Sequence, residues 1–232
     1  MKRAAFNQGA APTIAFANLA KTPLGVDLAK LVAACQKFVD QHFAPVWSTP
    51  AKLIVADKLP DDAWGMLFLD NADQAGALGY HDLTANGFPV SKIFVQTTLE
   101  AGEKISVTAA HELAEMLIDP AANLWADGGN GTIFAYEACD AVEETDFLID
   151  GIPMSNFVYP AFFESFRKPG SAKFDHLGKV KKPFQTLNGG YQIVMKEGRQ
   201  SQIFGSEKKA LHFSMQEDRF LHRSYYRRHP RV

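Results

Sequence analysis

Apolar positions along the chain recur in two rhythms. In GVDLAKLVAACQKFVDQHFAPVW, residues 25–47, Leu28, Leu31, Val32, Cys35, Val39 and Phe43 follow one another at helical spacing, the period of a helix with one buried face. Asp27 stands where an N-cap acceptor belongs, and Pro45 is expected to end the helix. Short apolar runs follow: KLIVAD at 52–57, GMLFLD at 65–70 and VSKIFVQTT at 90–98. Bounded by turn-forming and polar residues, they predict buried strands. Thr13 to Ala17 adds a short strand, and residues 74–83 a glycine-containing edge strand. Asn86-Gly87 is a turn signal ahead of the run at 90–98.

Helical spacing returns at 104–118, stopped by Asp119-Pro120, and again from Phe134 to Glu144, with the loop DGGNG between them at 127–131. Helix, strands, helix, loop and helix predict an α+β fold, a mixed, mostly parallel sheet covered by helices. The pattern changes after residue 145. Asp150-Gly151 separates two apolar segments and predicts a hairpin. Residues 171–184 read as an exposed Lys-rich loop and 189–195 as a strand. Residues 1–145 therefore form one expected unit, and residues 146–232 a β-rich C-terminal extension packed on it.

The chemistry gathers on VTAAHELAEMLIDP, residues 107–120. With His111 as zero on a helical wheel, Glu115 falls at about 40°, Asp119 at about 80° and Glu112 at about 100°. The rest of the circumference is apolar, so the helix is expected to be buried. Buried charges need a partner or a metal. His111 and Glu115 lie one turn apart, and an imidazole and a carboxylate at that spacing reach one ion. Glu112 projects beside them as a candidate base for a bound water. Downstream, Glu137, Asp140 and Glu144 are spaced three and four apart. Glu137 is the candidate third ligand; Asp140 and Asp119 are candidates to orient the ligands. A plainer reading stands beside this one. His111 hydrogen-bonds Glu137 or Asp140 and ties two helices together, and Asp119 caps the helix end. Cys139 reads as a small core residue, and His81 as polar strand surface, with the alternative that it lines a cleft from an edge strand.

The 232 residues include 24 Lys and Arg against 26 Asp and Glu, a net charge of −2. That balance argues against a dedicated nucleic-acid binder. The basic C-terminal tail, with Arg219, Arg223, Arg227, Arg228 and Arg231, reads as a solvated or partner-binding end. With 18 Phe, 6 Tyr and 3 Trp the chain is no disordered polymer. No apolar run reaches the roughly 18 residues of a membrane span. Cys35 and Cys139 make no disulfide framework and fit a reducing, cytoplasmic compartment. Asn7, Gln8, Pro12 and Asn18 interrupt what would be the apolar core of a signal peptide. His176, His212, His222 and His229 fall in segments that read as exposed.

The segment His111-Glu112-Leu113-Ala114-Glu115, with Glu137 on a following element 22 residues after Glu115, resembles the HExxH helix of the zincin metallopeptidases. Here Glu replaces the second His. The resemblance covers roughly residues 25–145. It implies a divalent metal, zinc first and manganese or calcium as alternatives, held by His111, Glu115 and Glu137. It further implies that Glu112 deprotonates a metal-bound water that attacks a peptide carbonyl. In zincins the strand before the motif helix is the antiparallel edge strand of the cleft, so residues 90–96 would hold an extended peptide or protein substrate by backbone pairing. HELAEMLIDP with YEACDAVE is also similar to uncharacterised proteins of bacteriophages and their bacterial hosts, which would place the chain in a host cytoplasm. That second resemblance implies a different class, a non-catalytic zincin-like scaffold for binding or assembly. Calcium bound for stability alone is a third.

Overall fold

A computed structural model of the chain describes residues 11–73 and 77–206. Five strands form the main sheet: β1 Thr13–Asn18, β2 Lys52–Val55, β3 Trp64–Leu69, β4 Gly79–Leu83 and β5 Pro89–Phe94, in the order β2-β1-β3-β5-β4. All pairs are parallel except β4 with β5. β1 is an interior strand, and Ile14, Ala15, Phe16 and Ala17 are all fully buried. That explains its continuous apolar run, since a strand covered on both faces has no solvated side to alternate with.

The register sets one face of the sheet. Phe16 pairs with Met66, Phe68 with Ile93, and Met66 with Ser91. Phe16, Met66, Phe68 and Ile93 join one hydrophobic core with the helices α1, Leu28–Lys37, and α4, Ile105–Ile118. Asp27 caps α1 as expected, its Oδ1 accepting from the Lys30 N–H at 2.9 Å. Pro45 does not end the helical segment. A π turn over Phe38–Phe43 leads into α2, Ala44–Trp47, with Pro45 in its first turn, and the stretch ends at Ser48 with φ of 57°. Proline lacks an N–H and clashes with the carbonyl four residues back. The wider π turn, closed by the Ala44 N–H on Val39 O, gives it room.

Three further expectations are corrected. The run at 90–98 is a strand only to Phe94; Val95–Glu100 form a short helix, α3. β5 is also not the edge strand. It lies between β3 and β4, so both its edges are taken, and β4 is the antiparallel edge. Residues 90–96 therefore have no open edge for a peptide. The helix expected from Phe134 to Glu144 is absent. Thr132–Ala135 form β7, paired with β6, Trp125–Asp127, and with β10, Tyr191–Lys196. A single 3₁₀ turn over Asp140–Val142 follows. Pairing with a strand some sixty residues later outweighed the local helical spacing.

The second sheet is antiparallel, β11-β10-β7-β6, with β11 at Arg199–Phe204. The expected hairpin is present as β8, Asp146–Ile149, and β9, Ile152–Ser155. Its turn places Asp150 at φ of 52° and Gly151 at 78°, the two left-handed positions of a type I′ turn. Met154 of β9 is fully buried in the core shared with α4. Segments on either side of residue 145 thus share a sheet and a core. The loop 171–184 exposes Lys173, Lys179, Lys181 and Lys182, but Phe174, Asp175 and Val180 are buried. The Asp175 carboxylate accepts from Asn156 Nδ2 at 2.8 Å and from the Val180 N–H at 2.8 Å. The basic tail and His212, His222 and His229 lie outside the described residues. No helix among the described residues is long and apolar enough to cross a membrane.

That loop also closes a seam of rings. His176 stacks on Phe157 at 4.8 Å, and its Nε2 lies 3.1 Å from His42 Nδ1 and its Nδ1 3.2 Å from Tyr159 Oη. Burial, with His42 and Lys173 adding to it, pushes His176 from 6.5 down to about 4. Between those two values the unfolded chain binds a proton that the folded chain does not, so stability falls as pH drops through that window. Urea unfolding at pH 7.5, 6 and 5 should show this fall, and His176→Gln should make it shallower. An unchanged slope in the variant would mean that the ring is not held neutral.

Candidate metal centre

Every residue of α4 except Val107 is buried. His111, Glu112 and Glu115 are buried with the rest. The structure brings His111 Nε2 to 3.3 Å from Glu115 Oε1 and to 3.2 Å from Asp140 Oδ1. Asp140 opens the 3₁₀ turn, and the segment before it is irregular. Its path is fixed partly by Glu115, whose Oε1 accepts the Cys139 N–H at 3.1 Å. The glutamate thus serves a backbone donor that a helix would have satisfied internally.

His81 is the residue that sequence reasoning set aside. On β4 it pairs with Ser91 of β5. Ser91 Oγ donates to Glu112 O at 3.3 Å, so this is the face toward α4. His81 is buried, with Nε2 3.0 Å from the Asp119 carbonyl oxygen and Nδ1 3.8 Å from Glu112 Oε2. A carbonyl only accepts, so Nε2 carries the proton, and in the neutral ring Nδ1 presents its lone pair toward the acids. Gly79 completes the fit. A Cβ there would lie 2.9 Å from both Cγ and Oε1 of Glu112, so only glycine lets the glutamate lie against β4. The signal in the sequence was Gly79 and His81 two apart on one strand face, but which face depended on the register.

Among the described residues two groups place donor atoms within 4.8 Å of one another: His111, Glu115 and Asp140, and His81, Glu115 and Glu137. The set expected from the sequence, His111 with Glu115 and Glu137, is not one of them. Asp140 stands beside His111, and Glu137 lies with His81. Glu144 is exposed, so no three-residue acidic stripe forms. Asp119 is fully buried and holds the turn after α4, its two carboxylate oxygens accepting from Asn123 N–H at 2.9 Å and Leu124 N–H at 2.8 Å. Cys139 is a buried thiol pushed up by burial, a core residue that stays neutral.

The electrostatics of the group are those of crowded acids in a poor solvent. Burial opposes the charged ring of His111, but the Glu115 carboxylate and the Asp140 hydrogen bond outweigh it and hold the ring well above its usual value. Burial, reinforced by Glu115, pushes Asp140 up to about 7. Glu112 Oε2 is buried with no hydrogen-bond partner. The donors fit a divalent ion. Ligands about 2.1 Å from a tetrahedral ion stand about 3.4 Å apart, close to the two separations around His111.

Asp119→Ala should cost about 1–3 kcal/mol, because two backbone donors lose their acceptor. Asp119→Asn, which keeps one acceptor oxygen, should cost less. Urea unfolding of both variants measures this, and a wild-type midpoint for Asp119→Ala would remove the turn-holding role.

Comparison with known proteins adds no relative, since no family model, no curated protein and no solved structure matches the chain.

Proposed function

We propose that the chain is a zincin-like metal-dependent hydrolase acting on peptide bonds. The observation that carries this reading is the buried meeting of His111, Glu115 and Asp140 at 3.2–3.3 Å, with Glu112 next in the chain. Support also comes from the sheet. An antiparallel edge strand runs beside the motif helix, as the zincin resemblance implies, although it is β4 and not residues 90–96. β4 has no strand on its other side among the described residues, so an extended peptide would add there.

His111, Glu115 and Asp140 would hold the ion. Bound there, a divalent metal supplies a Lewis acid that polarises a carbonyl and lowers the pKa of water. Glu112 accepts and returns the proton through Oε2, which no hydrogen bond engages. Glu115 is held in place by the Cys139 N–H, and the edge strand limits where Glu112 turns. Zinc fits this donor set best; manganese or calcium follows if the carboxylates dominate.

A second reading has its own observation. Each of these residues is at least nine-tenths buried, and a cavity of about 470 Å³ lies elsewhere, lined by Gly128, Arg167 and Phe184 among others. That favours a non-catalytic scaffold in which the ion serves stability and the protein binds or assembles with a partner.

Elemental analysis of the purified protein separates the readings. The wild type should carry zinc or another divalent metal, and His111→Ala should lose it. Glu112→Gln should keep the metal while cleavage of a denatured protein falls by about 10²–10⁴-fold. Metal without cleavage, equally in wild type and Glu112→Gln, would establish the scaffold. A wild type that binds no divalent metal at micromolar levels would end the enzyme reading.

A further inference from the structure

We propose that Glu115 bridges two divalent cations, one held with His111 and Asp140 and the other with His81 and Glu137. This inference rests on the metal-site reading above and extends it. The two donor groups have Glu115 in common, and within each the donor atoms lie within 4.8 Å of one another. A carboxylate has two oxygens and roughly four lone-pair directions, enough to serve both groups at once.

The second group is more than a cluster of acids. His81 is fixed from behind: its Nε2–H donates to the Asp119 carbonyl at 3.0 Å. Histidines that ligate metals are oriented in this way, by a backbone or carboxylate acceptor on the far nitrogen. The nitrogen left to ligate is Nδ1, on a side chain that the strand register places on the face toward α4. Opposite Nδ1, at 3.8 Å, lies Glu112 Oε2, which is buried and has no hydrogen-bond partner. Nδ1 and a carboxylate oxygen at that separation call for positive charge close to both, whether a proton on the ring or a metal ion. The same geometry is satisfied by a cation beside them.

Charge balance points the same way. Glu112, Glu115, Glu137 and Asp140 are four buried carboxylates, and the two imidazoles are neutral when they ligate. One divalent ion offsets half of that charge; two offset all of it. Closely spaced ion pairs of this kind act as clamps on both the attacking and the leaving oxygen in hydrolytic sites. Here the second ion would sit beside the edge strand that carries His81.

The test counts ions on the full chain. Protein stripped with a chelator is titrated with Zn²⁺ alone, passed over a desalting column and analysed for metal; a parallel sample takes Mn²⁺ for electron paramagnetic resonance. Two zinc ions per wild-type chain, and a spin-coupled manganese spectrum, are expected. His81→Ala and His111→Ala should each fall from two ions to one. A wild type that saturates at one ion, or His81→Ala that still binds two, would overturn the bridge and leave the single-metal hydrolase intact. No bound metal would overturn both. The wild-type count and spectrum decide the matter even if a variant fails to fold, which circular dichroism would reveal.

Discussion

A helix buried on all sides has no solvated face on which to place its charges. α4 nevertheless carries His111, Glu112 and Glu115 in its interior turns. Each ionised group there forfeits several kcal/mol of hydration, and the surroundings have to return it. The rest of the candidate centre answers that demand. Asp140 and Glu137 arrive from the segment after β7, His81 from the edge strand, and the Cys139 N–H from an irregular backbone. Without a cation, protons make up the balance, which is why Asp140 is pushed up to about 7 and His111 is held above its usual value.

The sheet is built to deliver these groups. Its parallel part, β2-β1-β3-β5, is a continuous apolar slab whose helix-facing side chains meet α1 and α4. The helix-facing side becomes polar across the β5–β4 pair, where Ser91 meets His81 and the bare Gly79 lies against Glu112, and β4 is the strand that runs the other way. The change from core to site therefore coincides with the change from parallel to antiparallel pairing. A parallel strand beside α4 would need a crossover on one face. The antiparallel edge needs only the turn at Asn86-Gly87, where Gly87 has φ of 81°, and keeps that face clear.

What the sequence disclosed follows from which interactions are local. α4 was readable because its apolar residues wrap the whole wheel while its ionisable residues share one stripe, and both facts lie within 14 residues. The N-cap at Asp27 and the turn at Asp150-Gly151 are local too. His81 was not readable. A histidine between Tyr80 and Asp82 looks like surface until its strand is paired, and the pairing with Ser91 that turns it inward is a tertiary fact. The segment 134–144 misled for the opposite reason. Glu137, Asp140 and Glu144 have helical spacing, but Thr132, Phe134 and their neighbours are committed to β10, and strand pairing carried the chain past a helix.

That absence of a helix is itself a condition for the site. In a helix through Cys139, its N–H would bond the carbonyl of Ala135, four residues back. It would no longer be available to Glu115, and the glutamate would lose the donor that fixes its Oε1 beside His111. Glu137 and Asp140, three apart on a helix, would also point to one side of it. In the observed path they belong to different groups, Glu137 with His81 and Asp140 with His111, both of which include Glu115. The irregular backbone between β7 and the 3₁₀ turn thus sends two acids to two donor groups that share a single glutamate, which regular structure at that position would not do.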